Sequence, residues 1–443
     1  ALEWSYDLLD AHEQALFTRL GVFVGGCTFE AAEAVCGVAD CTMQPADCEA
    51  RSWISDVQSA LVDGLAALVD KSLLQQTETA YGEPRLAMLE TIREYALERL
   101  QESGAMAEAR KRHAQFFLRL AEQLQPKLHE SEQRVRHETD LDNFRAALAW
   151  LAQQDDPQRA YRLWSALWPF WWTQGLLSEG RRWLVPLLAR RQRLAIPDQS
   201  AILNNAGWLA YWQGDYMAAR NCWEDVLALA YASGNMQVVA KMGIFLSMTA
   251  EAQGEYETAR SSLEASLSFF RKAKDKNNIA VAQLLLGGLD RMANQTQQAA
   301  ARFAESLALH RELGNTWHVG ILEFNQGFLE QQLSNHARAG ALLRASLAKM
   351  QDLGDHWGIS HCLRGLAGVA AAQNQPEQAA RLFGATEALL EITGLRLEPF
   401  EQSEHDQHIA VARAQLDKAA FAAAWAAGRT MPLEQAIAEA LGH

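Results

Sequence analysis

The chain has 443 residues, 49% apolar and 21% charged, with a formal net charge of −14 and only 10 prolines. That balance is an ordinary soluble globular one with room for two to four domains. It weighs against nucleic acid as a direct ligand, because neutralising phosphates takes a clustered Lys/Arg surface. A cytoplasmic protein without membrane contact is expected: the longest apolar run, Leu163 to Leu177, is broken by Pro169, Thr173, Gln174 and Gly175 and falls short of the roughly 20 residues a span needs.

The N-terminus, Ala1-Leu2-Glu3-Trp4, has no basic region ahead of an apolar core, so no signal peptide is expected. It has no Met either, which fits removal of an initiator Met or a piece cut from a longer protein. Leu8 to Leu20 has a helical pattern, and Gly21 to Gly26 reads as an extended apolar piece ending in glycines. Thr28 stands where a helix N-cap belongs, with Glu30 in the first turn. Ile54, Val57, Leu61, Leu65 and Leu68 mark one face of a third helix. Lys71 to Gln76 and Pro84 to Met88 flank a turn containing Gly82, the pattern of a two-stranded wing, and Leu89 to Leu100 returns to helix until Gly104.

Three helices followed by a β-hairpin describe a winged helix. That shape invites DNA binding, yet residues 1–130 carry 21 acidic against 11 basic side chains. The third helix has Asp56 and Asp63 with no Lys or Arg between them. Packing against protein, with no direct nucleic-acid contact, is the expectation. Cys27, Cys36, Cys41 and Cys48 lie close together but form no C-x-x-C pair, so buried or loop thiols are expected ahead of a metal site or a Cys41–Cys48 disulfide.

Residues 105–195 read as a helical arm. Asp142 to Trp172, and Gln174-Gly175 to Gly180-Arg181, resemble degraded hairpins, the second about one residue out of phase. Trp164, Trp168, Phe170, Trp171, Trp172 and Trp183 crowd this stretch, and Trp208, Tyr211 and Trp212 follow. Packing between consecutive hairpins explains such aromatics, and an aromatic-lined pocket is the functional alternative.

From residue 196 a repeat takes over. Turn pairs recur every 40 residues: Gly214-Asp215, Gly254-Glu255, Asn294-Gln295, Ser334-Asn335 and Asn374-Gln375. Five residues after each turn start stands Ala219, Ala259, Ala299, Ala339 or Ala379, and four further on Trp223, Leu263, Phe303, Leu343 or Phe383. Seven residues before each turn is a small one: Gly207, Ser247, Gly287, Gly327 or Ala367. Small residues let two antiparallel helices cross closely, and the large apolar residue is expected to fill the gap against the next hairpin. Gly234-Asn235, Gly314-Asn315 and Gly354-Asp355 would supply left-handed C-caps between units. Neither helix pair can bury its apolar face alone, so stacking supplies the core.

This pattern resembles the tetratricopeptide consensus, stretched from its usual period of about 34 residues. The period fails after Gly394, and Ala410 to Trp425 and Leu433 to Leu441 read as helices capping the open end. The expected fold is therefore mainly all-α: a winged helix over 1–104, the arm over 105–195, a right-handed α–α superhelix over 196–395 and capping helices over 396–443. First-helix positions placed on its concave face by the tetratricopeptide register are Asn204, Trp208, Tyr211, Lys241, Glu251, Arg291, Phe328 and His361. These are the candidate ligand-binding residues.

No catalytic or metal-binding constellation stands out. There is no H-E-x-x-H or G-x-S-x-G string, and His405 and His408 read as part of a solvated helix face. A P-loop needs Gly-x4-Gly-Lys-Ser/Thr; the near match from Gly64 to Lys71-Ser72 has Asp70 in place of the second glycine.

Two stretches carry a more specific resemblance. They are Ala1-Leu2-Glu3-Trp4-Ser5-Tyr6-Asp7-Leu8-Leu9 with Leu16-Phe17-Thr18-Arg19-Leu20-Gly21-Val22-Phe23-Val24-Gly25-Gly26-Cys27-Thr28, and Leu65-Ala66-Ala67-Leu68-Val69-Asp70-Lys71-Ser72-Leu73-Leu74 with Met88-Leu89-Glu90-Thr91-Ile92-Arg93-Glu94-Tyr95-Ala96. Together they resemble the winged-helix segment that follows the nucleotide-binding core in STAND ATPases (signal transduction ATPases with numerous domains). The order of winged helix, helical arm and tetratricopeptide-like sensor is similar too. The resemblance implies a regulatory and sensor portion, not an enzyme. Its partners would be an inducer, small molecule or protein, and the nucleotide-binding domain of the same protein. ATP or ADP with Mg is expected only in that upstream domain. A constitutive tetratricopeptide adaptor is the alternative.

Overall fold

A computed structural model describes residues 2–37, 50–78, 82–125 and 131–442, with side chains outside 50–58 and 131–134. The chain divides into two compact units, 1–170 and 171–443. The Cys41–Cys48 pair lies outside the described residues, as do the side chains of Ile54, Asp56 and Val57.

The first unit begins with α1 (Leu2–Asp7) and α2 (Ala11–Leu20). A single helix was expected from Leu8; instead Asp10 interrupts it. Its carboxylate accepts from the His12 and Glu13 amides at 2.9 Å each, while Glu13 accepts from the Asp10 amide at 2.9 Å. This reciprocal cap starts a new helix at Ala11. Gly21 to Gly26 is likewise not a strand. It turns, with Gly25 and Gly26 at φ +74° and +90°, and only β1 (Cys27–Thr28) is extended.

Thr28 caps α3 (Phe29–Cys36) by accepting from the Ala31 amide. Then come α4 (Ala50–Asp70), β2 (Gln75–Glu78), β3 (Pro84–Ala87) and α5 (Glu90–Glu102). The strands form an antiparallel sheet in the order β1-β3-β2. Helices α2 to α5 bury Phe17, Leu20, Val35, Leu68 and Leu100 between them. The unit continues through α6 (Met106–Leu124), α7 (Ser131–Thr139) and α8 (Leu141–Gln153), and α9 spans Pro157–Thr173.

A buried polar lock ties the root of the wing to α8. Arg85 of β3 pairs with Asp140 at 2.7 Å and donates to the Gly25 and Gly26 carbonyls. Asn143 donates to the same Gly26 carbonyl and accepts from the Val24 amide.

The second unit opens with α10 (Leu177–Ala189). Five hairpins of equal build follow: α11 (Ile196–Trp212) with α12 (Tyr216–Ala232), α13 (Met236–Ala252) with α14 (Tyr256–Ala273), α15 (Lys276–Met292) with α16 (Thr296–Glu312), α17 (Thr316–Gln332) with α18 (His336–Leu353), and α19 (His356–Ala372) with α20 (Pro376–Thr393). A residue with left-handed backbone ends every helix, at 214, 234, 254, 274, 294, 314, 334, 354, 374 and 394. Where glycine is absent the chain uses Lys274, Asn294, Ser334 and Asn374, at φ of 56° to 62°. The turn geometry thus repeats at half the sequence period, stopping each helix at 17 or 18 residues.

Trp223, Leu263, Phe303, Leu343 and Phe383 are all fully buried. The expectation that they fill the gap to the next hairpin is half the story. Three of these side chains also lie over the small residue of their own hairpin: a Cβ added to Gly207, Gly287 or Gly327 would meet Trp223, Phe303 or Leu343 at 2.3, 2.6 and 2.8 Å. Forward contacts exist as well, since Trp223 lies 5.3 Å from the Phe245 ring and Leu343 abuts Gly365.

The C-terminal helices are α21 (Pro399–Ala414), α22 (Lys418–Thr430) and α23 (Leu433–Leu441). α22 packs on α20, where Gly384 and Gly428 let the backbones approach, and α23 rests on α18 to α20. α21 does something a cap would not. It and the segment before it return along the inner row of helices to the first hairpin. The Arg396 amide donates to the Trp212 carbonyl at 2.9 Å, the Tyr211 hydroxyl donates to Glu398, and Arg291 pairs with Glu404 at 2.5 Å. His405 is buried against Phe383 at 5.2 Å, and His408 presses on Gly368. This corrects the expectation of a solvated face for these two histidines, because α21 lies on α19 and α20.

Candidate ligand cavity

First helices of consecutive hairpins meet, α13 with α15, α15 with α17 and α17 with α19, while α11 reaches α13 through Trp208 and Phe245. All five run in the same direction, because every hairpin is antiparallel and the repeat restores the orientation. Residues near their starts therefore gather at one rim and residues near their ends at the other. The inner faces of α11, α13, α15, α17 and α19, with Glu398, Phe400 and Glu401 at one end, line a partly open cavity of about 500 Å3. That is the size range of pockets for small organic molecules.

The rim at the helix starts presents Lys241, Asn277, Asn278, Trp317, His318 and Trp357. The middle is apolar, with Ile244, Phe245, Val281, Leu284, Ile321 and Phe324. The floor at the helix ends holds Tyr211, Glu251, Arg291, Glu398 and Glu401. The aromatic wall on the α11 side is continuous: Trp208 stacks on Trp212 at 4.9 Å and meets Phe245 edge-on at 4.8 Å, and Trp212 lies 3.9 Å from Trp172.

Charges on the floor are unequally satisfied. Glu401 accepts from His361 at 2.9 Å and Arg364 at 3.4 Å. Burial works to raise the Glu401 carboxyl, but His361 and Arg364 outweigh it and hold the group below the ordinary carboxylate range. Arg291 is occupied by Glu404 and lies over the Phe328 and Phe400 rings at 5.7 and 5.1 Å. Glu398 is raised well above its usual range by burial and by the charges of Glu251 and Glu401. Glu251 is raised to about 7 by burial and by Glu401, with Arg291 opposing. Among the described residues its side-chain carboxyl has no hydrogen-bond or ion-pair partner. Lys241 has no carboxylate partner among them either, and its ammonium lies 5.5 Å from the Phe245 ring.

Five of the eight residues placed on the concave face by register line this cavity: Trp208, Tyr211, Lys241, Glu251 and Arg291. Phe328 and His361 are buried just behind it, Phe328 beneath Arg364 at 4.4 Å and His361 stacked on Phe324 at 5.2 Å. Asn204 is on α11 but away from the lining, its buried Oδ1 without a hydrogen bond. Sequence reasoning missed Phe245, Trp317 and Trp357, although the register carries the signal. Trp317 and Trp357 stand one and two periods after the lining residue Asn277. Glu398, Phe400 and Glu401 lie outside the repeat and had no such signal.

A winged helix-turn-helix family model matches residues 41–101, and a tetratricopeptide repeat model matches residues 239–312. The chain joins a winged helix-turn-helix domain to tetratricopeptide repeats. Putative HTH-type transcriptional regulators of Mycobacterium tuberculosis and Mycobacterium bovis are 36% identical over 200 residues, 44% of this chain and 21% of theirs. The chain thus spans about a fifth of the length of these relatives. An uncharacterized protein of Mycobacterium tuberculosis is 36% identical over 104 residues, 23% of this chain and 22% of that protein. Among solved structures, a STAND protein with a tetratricopeptide repeat sensor from Pyrococcus horikoshii aligns with 99% of this chain and 66% of its own, at 14% identity and a TM-score of 0.41. Aspartyl phosphate phosphatase F from Bacillus subtilis aligns over 80% and 88%, at 11% identity and a TM-score of 0.47. At that level neither carries functional information.

In the winged helix-turn-helix domain, the described side chains of α4 expose Ser59, Val62, Asp63 and Asp70 but no cation. Lys71, just beyond, pairs with Glu13 at 2.6 Å. The near match to a P-loop lies in α4 and the turn after it, so its amides are committed to helix and cannot cradle phosphates. Among the described residues no group of three His, Cys, Asp or Glu could hold a metal ion, and no helix is long and apolar enough to cross a membrane. Cys27, Cys36, Cys222 and Cys362 are free thiols; burial pushes Cys36 and Cys362 up to about 12, which leaves them unreactive.

Proposed function

We propose that this chain is the regulatory and sensing portion of a STAND-type signal-transduction protein, and that its tetratricopeptide array binds a small-molecule inducer in the cavity on its inner face. The observation that carries this reading is a cavity of about 500 Å3 on the array's inner face, floored by Glu398, Phe400 and Glu401. Its volume and its apolar, aromatic middle with a few polar groups at the ends match sites for small organic molecules. The relatives named as HTH-type transcriptional regulators, and the resemblance of the N-terminal strings, support a regulatory setting.

In this reading nucleotide and magnesium belong to a domain outside these residues, and this chain performs no catalytic step. The winged helix-turn-helix domain serves as a packing module, in keeping with its acidic balance. Inducer shifts a closed–open equilibrium only by its differential affinity for the two states. The C-terminal segment that bridges α11, α15 and α19 is the element whose position such binding would bias. Calorimetry against a metabolite library, with the signalling output of the full-length protein as second readout, tests the reading. Saturable binding that disappears in Met248→Trp, a change that fills the cavity, is expected. An output unaffected by deleting residues 196–443 overturns it, and duplex DNA binding by residues 1–170 overturns the packing role.

A further inference from the structure

The cavity has two unlike ends. Its floor gathers Glu251, Glu398, Glu401 and Glu404 around Arg291, Arg364 and His361, each already engaged by Glu404 or Glu401. Glu398 is capped by the Tyr211 hydroxyl, which leaves Glu251 as the carboxylate facing the cavity without a partner. A carboxyl that lines a cavity with no hydrogen-bond or ion-pair partner is complementary to an ammonium, which supplies donors and favours its ionised form. The opposite rim has the reverse character. Lys241 lines the cavity there, exposed and with no carboxylate partner among the described residues, and Asn277 and Asn278 line the same rim. The rim carboxylates are engaged locally: Asp275 caps the Asn278 amide at 3.1 Å, and Asp355 accepts from Trp317 at 2.5 Å and from the Trp357 and Gly358 amides.

Lys241 and Glu251 belong to the same helix, ten positions apart, so their attachment points are separated by about 15 Å at a rise of about 1.5 Å per residue. Between them the wall is apolar and aromatic. We infer that the ligand of this cavity is an elongated bipolar molecule, with an ammonium seated at Glu251, an acid group at Lys241 and an apolar body along Trp208, Phe245 and Val281. The inference rests on the cavity being the sensing site, as proposed above.

ω-Aminododecanoic acid is a suitable probe, with dodecanoic acid and dodecylamine as single-ended controls. Calorimetry on the full chain should rank the two-ended probe tightest. Glu251→Gln should weaken ω-aminododecanoic acid and dodecylamine by about tenfold or more and leave dodecanoic acid unchanged, while Lys241→Met should do the reverse for the two controls. Far-UV circular dichroism of both variants should match the parent. If the two-ended probe binds no better than the controls, or both substitutions penalise the same probes, the bipolar assignment is overturned while the cavity remains a ligand site. Failure of all three probes to bind overturns it too. The sensing role fails separately, on an output of the full-length protein that Met248→Trp leaves unaltered.

Discussion

The Tyr211 hydroxyl at the end of α11 donates a hydrogen bond to the Glu398 carboxylate, 187 positions later in the chain. This contact, with the Arg396 amide on the Trp212 carbonyl, fastens the C-terminal segment onto the first hairpin. Gly175 pressing on Thr393 brings the start and end of the array together from the other side. Tyr211→Phe removes the donor and leaves Glu398 buried without it, which should cost about 1–3 kcal/mol. Hydrogen exchange should locate the loss, with faster exchange in residues 396–414 and unchanged rates in α15 to α18. Uniform acceleration across the array would argue against a local fastening.

Close packing inside each hairpin depends on the residue that has no side chain. Gly207→Ala places a methyl group 2.3 Å from the Trp223 indole and is expected to destabilise the array by about 1–3 kcal/mol through overpacking. Gly288→Ala is the control: nothing lies within 4 Å of its added Cβ, and helix propensity alone predicts a gain of up to about 1 kcal/mol. Urea midpoints of the two variants should move in opposite directions.

The unpartnered Glu251 makes stability depend on pH in a defined sense. Its folded-state value of about 7 lies above its ordinary 4.5. Between those values the unfolded chain releases a proton that the folded chain retains, so rising pH lowers stability through this group. Glu251→Gln abolishes the effect. The melting temperature of the variant relative to the parent should climb from about pH 5 to about pH 8; a flat difference would show that the carboxyl ionises normally in the fold. Glu401 acts oppositely, since a depressed carboxyl contributes stability that is lost as pH falls.

In the first unit Arg85 and Asp140 form an ion pair with both side chains only 6% exposed. Asp140→Ala leaves the guanidinium buried without its counter-charge and removes a partner from Asn143, which should cost about 3–5 kcal/mol. The solvent-facing Asp142–Arg145 pair, two positions along the chain, provides the control. There Asp142→Ala should cost less than about 1 kcal/mol. Protection of the Val24 and Leu86 amides reports the first change.

Much of this was legible in the amino-acid order because the array is periodic. Any residue type that geometry demands once, it demands five times, and the alanine, the large apolar residue and the left-handed turn all stand out against chance. The same register found Trp208, Tyr211, Lys241, Glu251 and Arg291. The break before α2 was also legible, since Asp10 and Glu13 have capping-box spacing, but the apolar pattern from Leu8 concealed it. Glu398, Phe400 and Glu401 had no periodic signal. Their place depends on contacts with α11, α15 and α19, and such long-range pairings leave no trace in local spacing.

By itself, then, the sequence determined the repeating hairpin and its turns and placed five of eight candidate residues on the inner lining, because these follow from local dihedral preferences and apolar spacing. Only the tertiary structure decided that one end of the inner face is covered. That outcome depends on the C-terminal segment returning to the first hairpin, where Tyr211 and Glu398 meet at the polar floor of the cavity.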